Sequence, residues 1–231
     1  MKCLILASGF GTRLYPLTLN KAKALLDYRG APLISHVVDK VPSNIEIIIA
    51  TNKKFENDFS QWLLTTNREV SLCVEPVLTE EQRLGAIGSL HYCIATMGLS
   101  EDLLVVGADN YFEFSLSDFI SAFDGQTTLV AVHDIGDRSK ATQYGVVRLE
   151  GNKIVEFEEK PAAPKSSLVA TACWILPSRM LPVVEEFTTR GSKDNLGDFI
   201  TYLVKIDAVQ AYVFDELWLD IGSAEVYYDT R

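Results

Sequence analysis

The sequence predicts an α/β fold, with a mixed, mainly parallel sheet covered by helices on both faces and an antiparallel part towards the carboxyl end. Three observations carry this. Short apolar runs alternate with helix-like segments through the first half, the pattern of strands joined by crossover helices. The first apolar run leads straight into a glycine-rich turn. After residue 132 the alternation gives way to paired strands about a tight turn, Glu150-Gly151-Asn152.

The elements follow in order. Lys2 to Ala7 is short, apolar and ends at Ser8-Gly9, so it is a buried strand. Pro32 to Lys40 is a helix with proline in its first turn, Glu46 to Ala50 a strand, and Asn52 to Leu64 a helix. The strand Val70 to Val74 follows, then a helix from about Gly88 to Met97 and the strand Leu103 to Val106. A polar helix near Ser117 to Phe123 precedes the strand Thr128 to Val132. Gly145 to Leu149 and Lys153 to Glu158 form the hairpin, and Leu168 to Ile175 is a further strand. Ser178 to Phe187 and Leu196 to Lys205 are helices, with closing strands at Val209 to Phe214 and Leu217 to Leu219. The Pro- and Lys-rich stretch Lys160 to Lys165 is too short to separate folding units, so 1–231 reads as one domain.

Composition narrows the function. The 231 residues are 48% hydrophobic and 23% charged, as in an ordinary globular protein, and bury enough surface to fold without a staple. Cys3, Cys73, Cys93 and Cys173 show no Cys-x-x-Cys spacing, so they are expected to be reduced, mostly buried thiols in a cytoplasm. A net charge of −10 argues against a general nucleic-acid or membrane-surface binder. No apolar stretch reaches the roughly 20 residues of a membrane helix, and no leader is evident. Residues 1–40 nevertheless carry six Lys or Arg against two Asp, which leaves room for a local anion site. His36, His91 and His133 are isolated, so a hydrolase triad fits poorly.

The chemistry lies in the turn after the first strand, Ala7-Ser8-Gly9-Phe10-Gly11-Thr12-Arg13-Leu14-Tyr15-Pro16-Leu17-Thr18, with Lys21 and Lys23 beyond. Two glycines let backbone amides approach an anion, and Arg13 and Lys23 add full charges suited to a polyphosphate. There is no Gly-Lys-Ser/Thr ending, and leucine at 14 breaks the dinucleotide pattern, so this is neither a P-loop nor a dinucleotide fingerprint.

The order strand, Gly-x-Gly-Thr-Arg-Leu, Pro-Leu-Thr and distal lysine resembles the sugar-phosphate nucleotidylyltransferases, glucose-1-phosphate thymidylyltransferases among them. Further blocks match along residues 4–222: Arg83-Leu84-Gly85-Ala86-Ile87-Gly88, Asp109-Asn110, Tyr144-Gly145-Val146-Val147, Glu158-Glu159-Lys160-Pro161 and Trp218-Leu219-Asp220-Ile221-Gly222. The resemblance implies a Rossmann-like nucleotide-diphospho-sugar transferase fold, with residues 1–125 as nucleotide-binding half and 126–231 as sugar-phosphate half. It implies in-line transfer of a nucleoside monophosphate unit from a nucleoside triphosphate to a sugar 1-phosphate, with pyrophosphate leaving. Positioning and charge neutralisation would do most of the work, with no protein nucleophile.

By the same resemblance, Ala7, Ser8, Gly9, Gly11 and Thr12 wrap the nucleotide, while Arg13 and Lys23 are the catalytic cations. Lys21 is expected to be solvated. Asp109 and Asp220 would bind Mg²⁺, although Gly107-Ala108-Asp109 departs from the family order of glycine directly before the aspartate. Glu159 would hold sugar hydroxyls and Lys160 the sugar phosphate; Gly145 would let backbone approach the sugar, and Thr171 offers a hydroxyl. Gly85 lies in the base-proximal segment. Glu75 stands where relatives carry a base-reading glutamine; it, or Glu80 in another register, would suit guanine's adjacent donors or cytosine's amino group. Backbone groups around Ser8 and Gly85 would instead suit thymine or uracil, and family frequency favours thymidylyl or uridylyl transfer. Trp218, like Trp62, Phe112, Phe114 and Tyr202, reads as core or rim packing.

Two rival functions remain at the level of sequence. One is cytidylyl transfer to phosphocholine or a similar acceptor; the other is a non-catalytic regulatory relative that binds nucleotide sugar, suggested by Ser8, Glu75 and Ala108. The chain runs only to Arg231, so the acyltransferase β-helix or helical tail of some relatives is not expected. A homo-oligomer is compatible with the sequence.

Overall fold

The structure, a computed structural model, describes residues 1–190 and 196–230. Lys2–Leu6 forms β1, and the glycine-rich loop runs from it to a two-residue ladder of β2 (Asp27–Tyr28) and β3 (Ala31–Pro32). Then come α1 (Leu33–Lys40), β4 (Glu46–Asn52), α2 (Glu56–Leu63), β5 (Val70–Glu75), α3 (Ala86–Met97), β6 (Leu103–Gly107), β7 (Asn110–Phe112) and α4 (Leu116–Ser121). The second half holds β8 (Thr128–Asp134), the hairpin β9 (Gly145–Glu150) and β10 (Lys153–Glu159), and β11 (Leu168–Leu176). It closes with α5 (Leu181–Thr189), α6 (Leu196–Ile206), β12 (Val209–Phe214), β13 (Trp218–Asp220) and α7 (Ala224–Thr230).

Among the described residues, nine strands form one sheet in the order β5-β4-β1-β6-β11-β8-β12-β10-β9. The pairings β5–β4–β1–β6 and β8–β12 are parallel; β10 and β11 run against the other seven strands. Alternation along each strand separates two cores. Cys3, Ile5, Ile47 and Ile49 pack with Ile34 and Val37 of α1, Phe59 and Trp62 of α2 and Phe119 of α4. Leu4, Ile48, Val105 and Trp174 pack with Leu90 of α3, Val184 and Phe187 of α5 and Phe199 and Leu203 of α6. A third, smaller core joins Leu14 of the loop to Tyr28, Leu33, Ile221 and Tyr227, and so ties the loop after β1 to the end of the chain.

Three boundaries differ from expectation for identifiable reasons. Asn52 ends β4 instead of opening a helix, because its side chain is spent on both neighbours: Oδ1 accepts from the Phe55 amide at 3.1 Å and Nδ2 donates to the Ser8 carbonyl at 2.7 Å. Pro32 precedes α1 as its cap, with extended backbone. Ser178–Met180 is a separate 3₁₀ turn before α5. The short β7 and the terminal α7 escape pattern reading, since three residues or two turns carry too little periodicity. No helix among the described residues is long and apolar enough to cross a membrane. The four cysteines are free and buried.

Candidate functional site

The loop after β1 is anchored at its root and open at its crest. The Ala7 amide donates to the Ala50 carbonyl at 2.9 Å, Phe10 is buried, and Thr18 Oγ1 donates to the Gly11 carbonyl at 2.7 Å. Gly11 has φ +65°, and a Cβ there would meet Thr18 Cγ2 and Lys23 Cβ, each at 3.1 Å, so glycine is needed for both conformation and space. No hydrogen bond among the described residues uses the amides of Gly9 through Arg13. Gly9, Thr12 and Arg13 are exposed. Five successive unpaired N–H groups beside a guanidinium have the chemistry to accept phosphate oxygens as ligands. Lys21 is exposed, as expected of a solvated lysine.

Two carboxylates converge beside this loop. Asp109 follows β6 at the carboxyl ends of the parallel strands, where open α/β sheets place ligands. Asp220 reaches it because β13 pairs antiparallel with β7, Asp220 opposite Asn110, and the Ile221 amide donates to the Asp109 carbonyl at 2.9 Å. Lys23 Nζ donates to Asp109 Oδ2 at 2.9 Å, and Asn110 Nδ2 to Asp109 Oδ1 at 2.8 Å. Burial pushes the Asp109 carboxyl up, but the charge and hydrogen bond of Lys23 and the Asn110 amide outweigh it and hold it below the usual range. Asp220 is pushed up to about 6, first by burial and then by the Asp109 charge, against the pull of Lys23, Arg13 and Lys160. A pair of oxygen donors whose negative charge is under-compensated despite three nearby cations suits a hard divalent ion that also accepts phosphate oxygens and water. Among the described residues no third acidic, His or Cys ligand joins them, and Mg²⁺ requires none.

The departure at Ala108 has a structural answer. A Cβ on Gly107 would meet Ala172 Cβ at 2.9 Å and both Asn110 Nδ2 and Asp109 Oδ1 at 3.0 Å. The space for the Asp109–Asn110 contact is therefore supplied by the glycine two residues before the aspartate.

Arg13, Asp109, Gly145, Glu159, Lys160, Thr171 and Asp220 line a single cavity of about 550 Å³. It opens where β11 loses register between Ala170 and Trp174, which parts the sheet on its reversed strand. Glu159 closes β10 opposite Gly145, and its carboxylate lies against the Cα atoms of Gly145 and Gly197. Lys160 follows with φ +47°, a left-handed conformation that ends the strand, while its amide still donates to the Tyr144 carbonyl at 3.0 Å. Its Nζ lies 3.6 Å from Glu159 Oε1.

Other residues singled out from sequence lie away from the cavity wall or are already engaged. Thr171 is 3% exposed, and its hydroxyl donates to the Ala131 carbonyl at 3.0 Å, so that donor is spent on β8. Glu75 is neither solvent-facing nor presented to the cavity. It is 2% exposed at the end of β5 and accepts from Ser89 of α3, while Ser8 Oγ lies 2.9 Å from Ser89 Oγ. Burial raises the Glu75 carboxyl above its ordinary value, and Ser89 and Ser8 only partly offset this. Glu80 is paired with Arg83 on the surface. Gly85 caps α3 with φ +75° and accepts from the Ser89 amide. Ser89 escaped sequence reasoning; Tyr144, quoted only within a matching block, lines the cavity, and Trp218, read as packing, also donates to Asn110. The aspartate-asparagine pair was visible, but what Asn110 binds was not.

A family model described as nucleotidyl transferase matches residues 2–231. The chain belongs to the nucleotidyl transferase family. Within that family it is 28% identical over 231 residues to a Sulfolobus acidocaldarius protein assigned as a mannose-1-phosphate guanyltransferase, covering 98% of this chain and 61% of that one. It is 28% identical over 233 residues to the bifunctional protein GlmU of Methanocaldococcus jannaschii, covering 96% and 51%. This nucleotidyl transferase thus spans half to three fifths of the length of these curated relatives. Among solved structures, a Bacillus anthracis protein assigned as a glucose-1-phosphate thymidylyltransferase, in complex with sucrose, superposes with a TM-score of 0.85 at 26% identity over 100% of this chain and 95% of that one. A UDP-glucose pyrophosphorylase complexed with UDP-glucose shares the fold, with a TM-score of 0.81 at 23% identity, over 99% and 96%.

Proposed function

We propose that this nucleotidyl transferase moves a nucleoside monophosphate unit from a nucleoside triphosphate to a hexose 1-phosphate. A phosphate oxygen of the sugar 1-phosphate attacks the α-phosphorus, the bond from that phosphorus to the bridging oxygen of the β-phosphate breaks, and pyrophosphate leaves. The observation that supports this most is the convergence of Arg13, the Asp109–Asp220 pair, Glu159 and Lys160 on one cavity.

Each half contributes. Residues 1–125 supply the unpaired amides of Gly9 to Arg13 for the triphosphate, with Arg13 neutralising the departing pyrophosphate. Lys23, held on Asp109, faces the reacting phosphates. Residues 126–231 supply Lys160 for the sugar phosphate and Glu159 as acceptor for sugar hydroxyls. Asp109 and Asp220, one from each half, would hold Mg²⁺, which when bound offsets phosphate charge and orients the oxygens. The cavity lined from β9 and β11 supports a sugar side there, and the loop over β1 supports a nucleoside extending over the ends of β4 and β5, beside Ser8, Ser89 and Gly85. With the Glu75 carboxylate turned into that serine pair, its acceptor oxygens do not serve guanine or cytosine, and thymidylyl or uridylyl transfer is the favoured form.

The test is a matrix of nucleoside triphosphates against sugar 1-phosphates and phosphocholine, scored by pyrophosphate release. Release is expected with TTP or UTP and a hexose 1-phosphate. Release with phosphocholine alone would replace the sugar acceptor. Tight nucleotide-sugar binding without release in any pairing would make the chain a regulatory relative.

A further inference from the structure

The buried side of Asp109 carries a relay that the charged residues alone do not explain. Trp218, 8% exposed, donates its indole N–H to Asn110 Oδ1 at 2.8 Å, and Asn110, 3% exposed, donates from Nδ2 to Asp109 Oδ1 at 2.8 Å. The second carboxylate oxygen takes the Lys23 ammonium at 2.9 Å.

An asparagine amide is nearly symmetric in shape, so its partners decide which end faces which way. An indole N–H can only donate, so it requires Oδ1 towards Trp218 and thereby turns the NH₂ towards Asp109. The opposite orientation would bring an amide oxygen against a carboxylate oxygen and an NH₂ against an N–H, two repulsive contacts about the buried Asn110 and Trp218 side chains. Trp218 is itself held by edge-on packing with Tyr144, centroids 5.3 Å apart, and by His133 at 5.9 Å. Trp218 and Asp220 are two residues apart on β13 and so share a face. One three-residue strand therefore carries one carboxylate of the pair and the group that orients the other.

We infer that Trp218 is a positioning residue that, through Asn110, holds Asp109 in its divalent-ion-binding orientation. This rests on the proposed role of Asp109 and Asp220. The experiment measures Mn²⁺ binding in the presence of nucleoside triphosphate by water-proton relaxation, alongside initial rates. Trp218→Phe keeps an aromatic ring against Tyr144 and His133, removes the donor and leaves a smaller ring in its place. Its Mn²⁺ Kd is expected to rise about 10-fold, the lower end of the effect of losing an outer-shell partner. The KM for sugar 1-phosphate is expected to stay within about 2-fold, a split that general loosening of the fold would not produce. Asn110→Ala breaks the relay from the other end and is expected to weaken Mn²⁺ binding likewise, and W218F/N110A should bind no more weakly than N110A alone. Unchanged Mn²⁺ binding in W218F while Asp109→Asn has lost it, or multiplicative losses in the double variant, would overturn the inference. Unchanged Mn²⁺ binding in D109N would instead remove the metal-site reading beneath it.

Discussion

Gly145→Ala separates the packing role of the sugar-side glycine from its role in catalysis. Gly145 starts β9 opposite Glu159 of β10 and Ala170 of β11. An added Cβ would lie 2.9 Å from Phe157 Cε2, nearer still to Cζ, and 3.2 Å from Glu159 Oε2. Carbon atoms rest at about 3.5–4.0 Å, so the ring must retreat by roughly 1 Å. Phe157 is 8% exposed and belongs to the core that contains Trp174 and Phe199, so its retreat overpacks that core, at about 1–3 kcal/mol. The same methyl pushes on the Glu159 carboxylate. A displacement of about 1 Å in a substrate-positioning group costs on the order of 100-fold, so kcat/KM for sugar 1-phosphate is expected to fall by 10- to 100-fold. Urea unfolding measures the first effect; steady-state kinetics and calorimetric nucleotide binding measure the second, with nucleotide affinity expected to hold. Gly197→Ala is the companion variant. Its Cβ would meet the carboxylate end of Glu159, with Cδ at 2.9 Å, and Phe157 Cε1 at 3.0 Å, less deeply than in G145A, while helix propensity favours alanine by up to about 1 kcal/mol. G197A should therefore lose less stability than G145A and lose sugar-phosphate turnover. Wild-type stability and wild-type sugar kinetics in G145A would refute the reasoning for both glycines.

Three further outcomes are expected. Arg13→Ala, an exposed position, should leave the urea midpoint unchanged and lower kcat by about 100-fold or more if the guanidinium meets the leaving pyrophosphate; a loss under about 5-fold in pyrophosphate-release assays would remove it from the mechanism. Thr171→Val deletes the hydrogen bond to Ala131, so stability should drop by about 1 kcal/mol with the sugar-phosphate KM unaltered, whereas a 10-fold rise in KM would show the hydroxyl touching sugar. Glu75→Gln addresses pH. The folded-state Glu75 carboxyl is raised by burial above its ordinary value, so the unfolded chain ionises it first and folding stability falls as pH climbs from about 4.5 to the raised value, then levels. That contribution is at most about 1.4 kcal/mol per pH unit within the window. E75Q should flatten this segment of the stability–pH curve relative to wild type; parallel curves for the two proteins would show that Glu75 titrates normally.

Much of the fold could be read along the chain because its signals are local. Strand runs such as Leu103 to Val106, the glycine turn at 151 and the amphipathic helices each place their cues within a few residues of one another. The candidate anion loop was legible for the same reason: Gly9, Gly11, Arg13 and Thr18 are near neighbours whose spacing points to an open turn. Asn52 was misassigned because its cue, a polar residue before a helix-like run, is identical whether the side chain caps a helix or bridges two loops.

The site divides along the same line. Residue types and spacing along the polypeptide marked a candidate anion-binding loop, two candidate acidic ligands and a Glu-Lys pair, since charge and backbone freedom are properties of the residues themselves. Tertiary packing and strand register established what depends on partners: that Glu75 is buried against Ser89 of α3, that Thr171 spends its hydroxyl on Ala131, and that a tryptophan 108 positions from Asn110 donates to the amide beside Asp109. Hydrogen-bond donation and desolvation act over about 3 Å of space, and chain distance carries no record of which groups will lie that close.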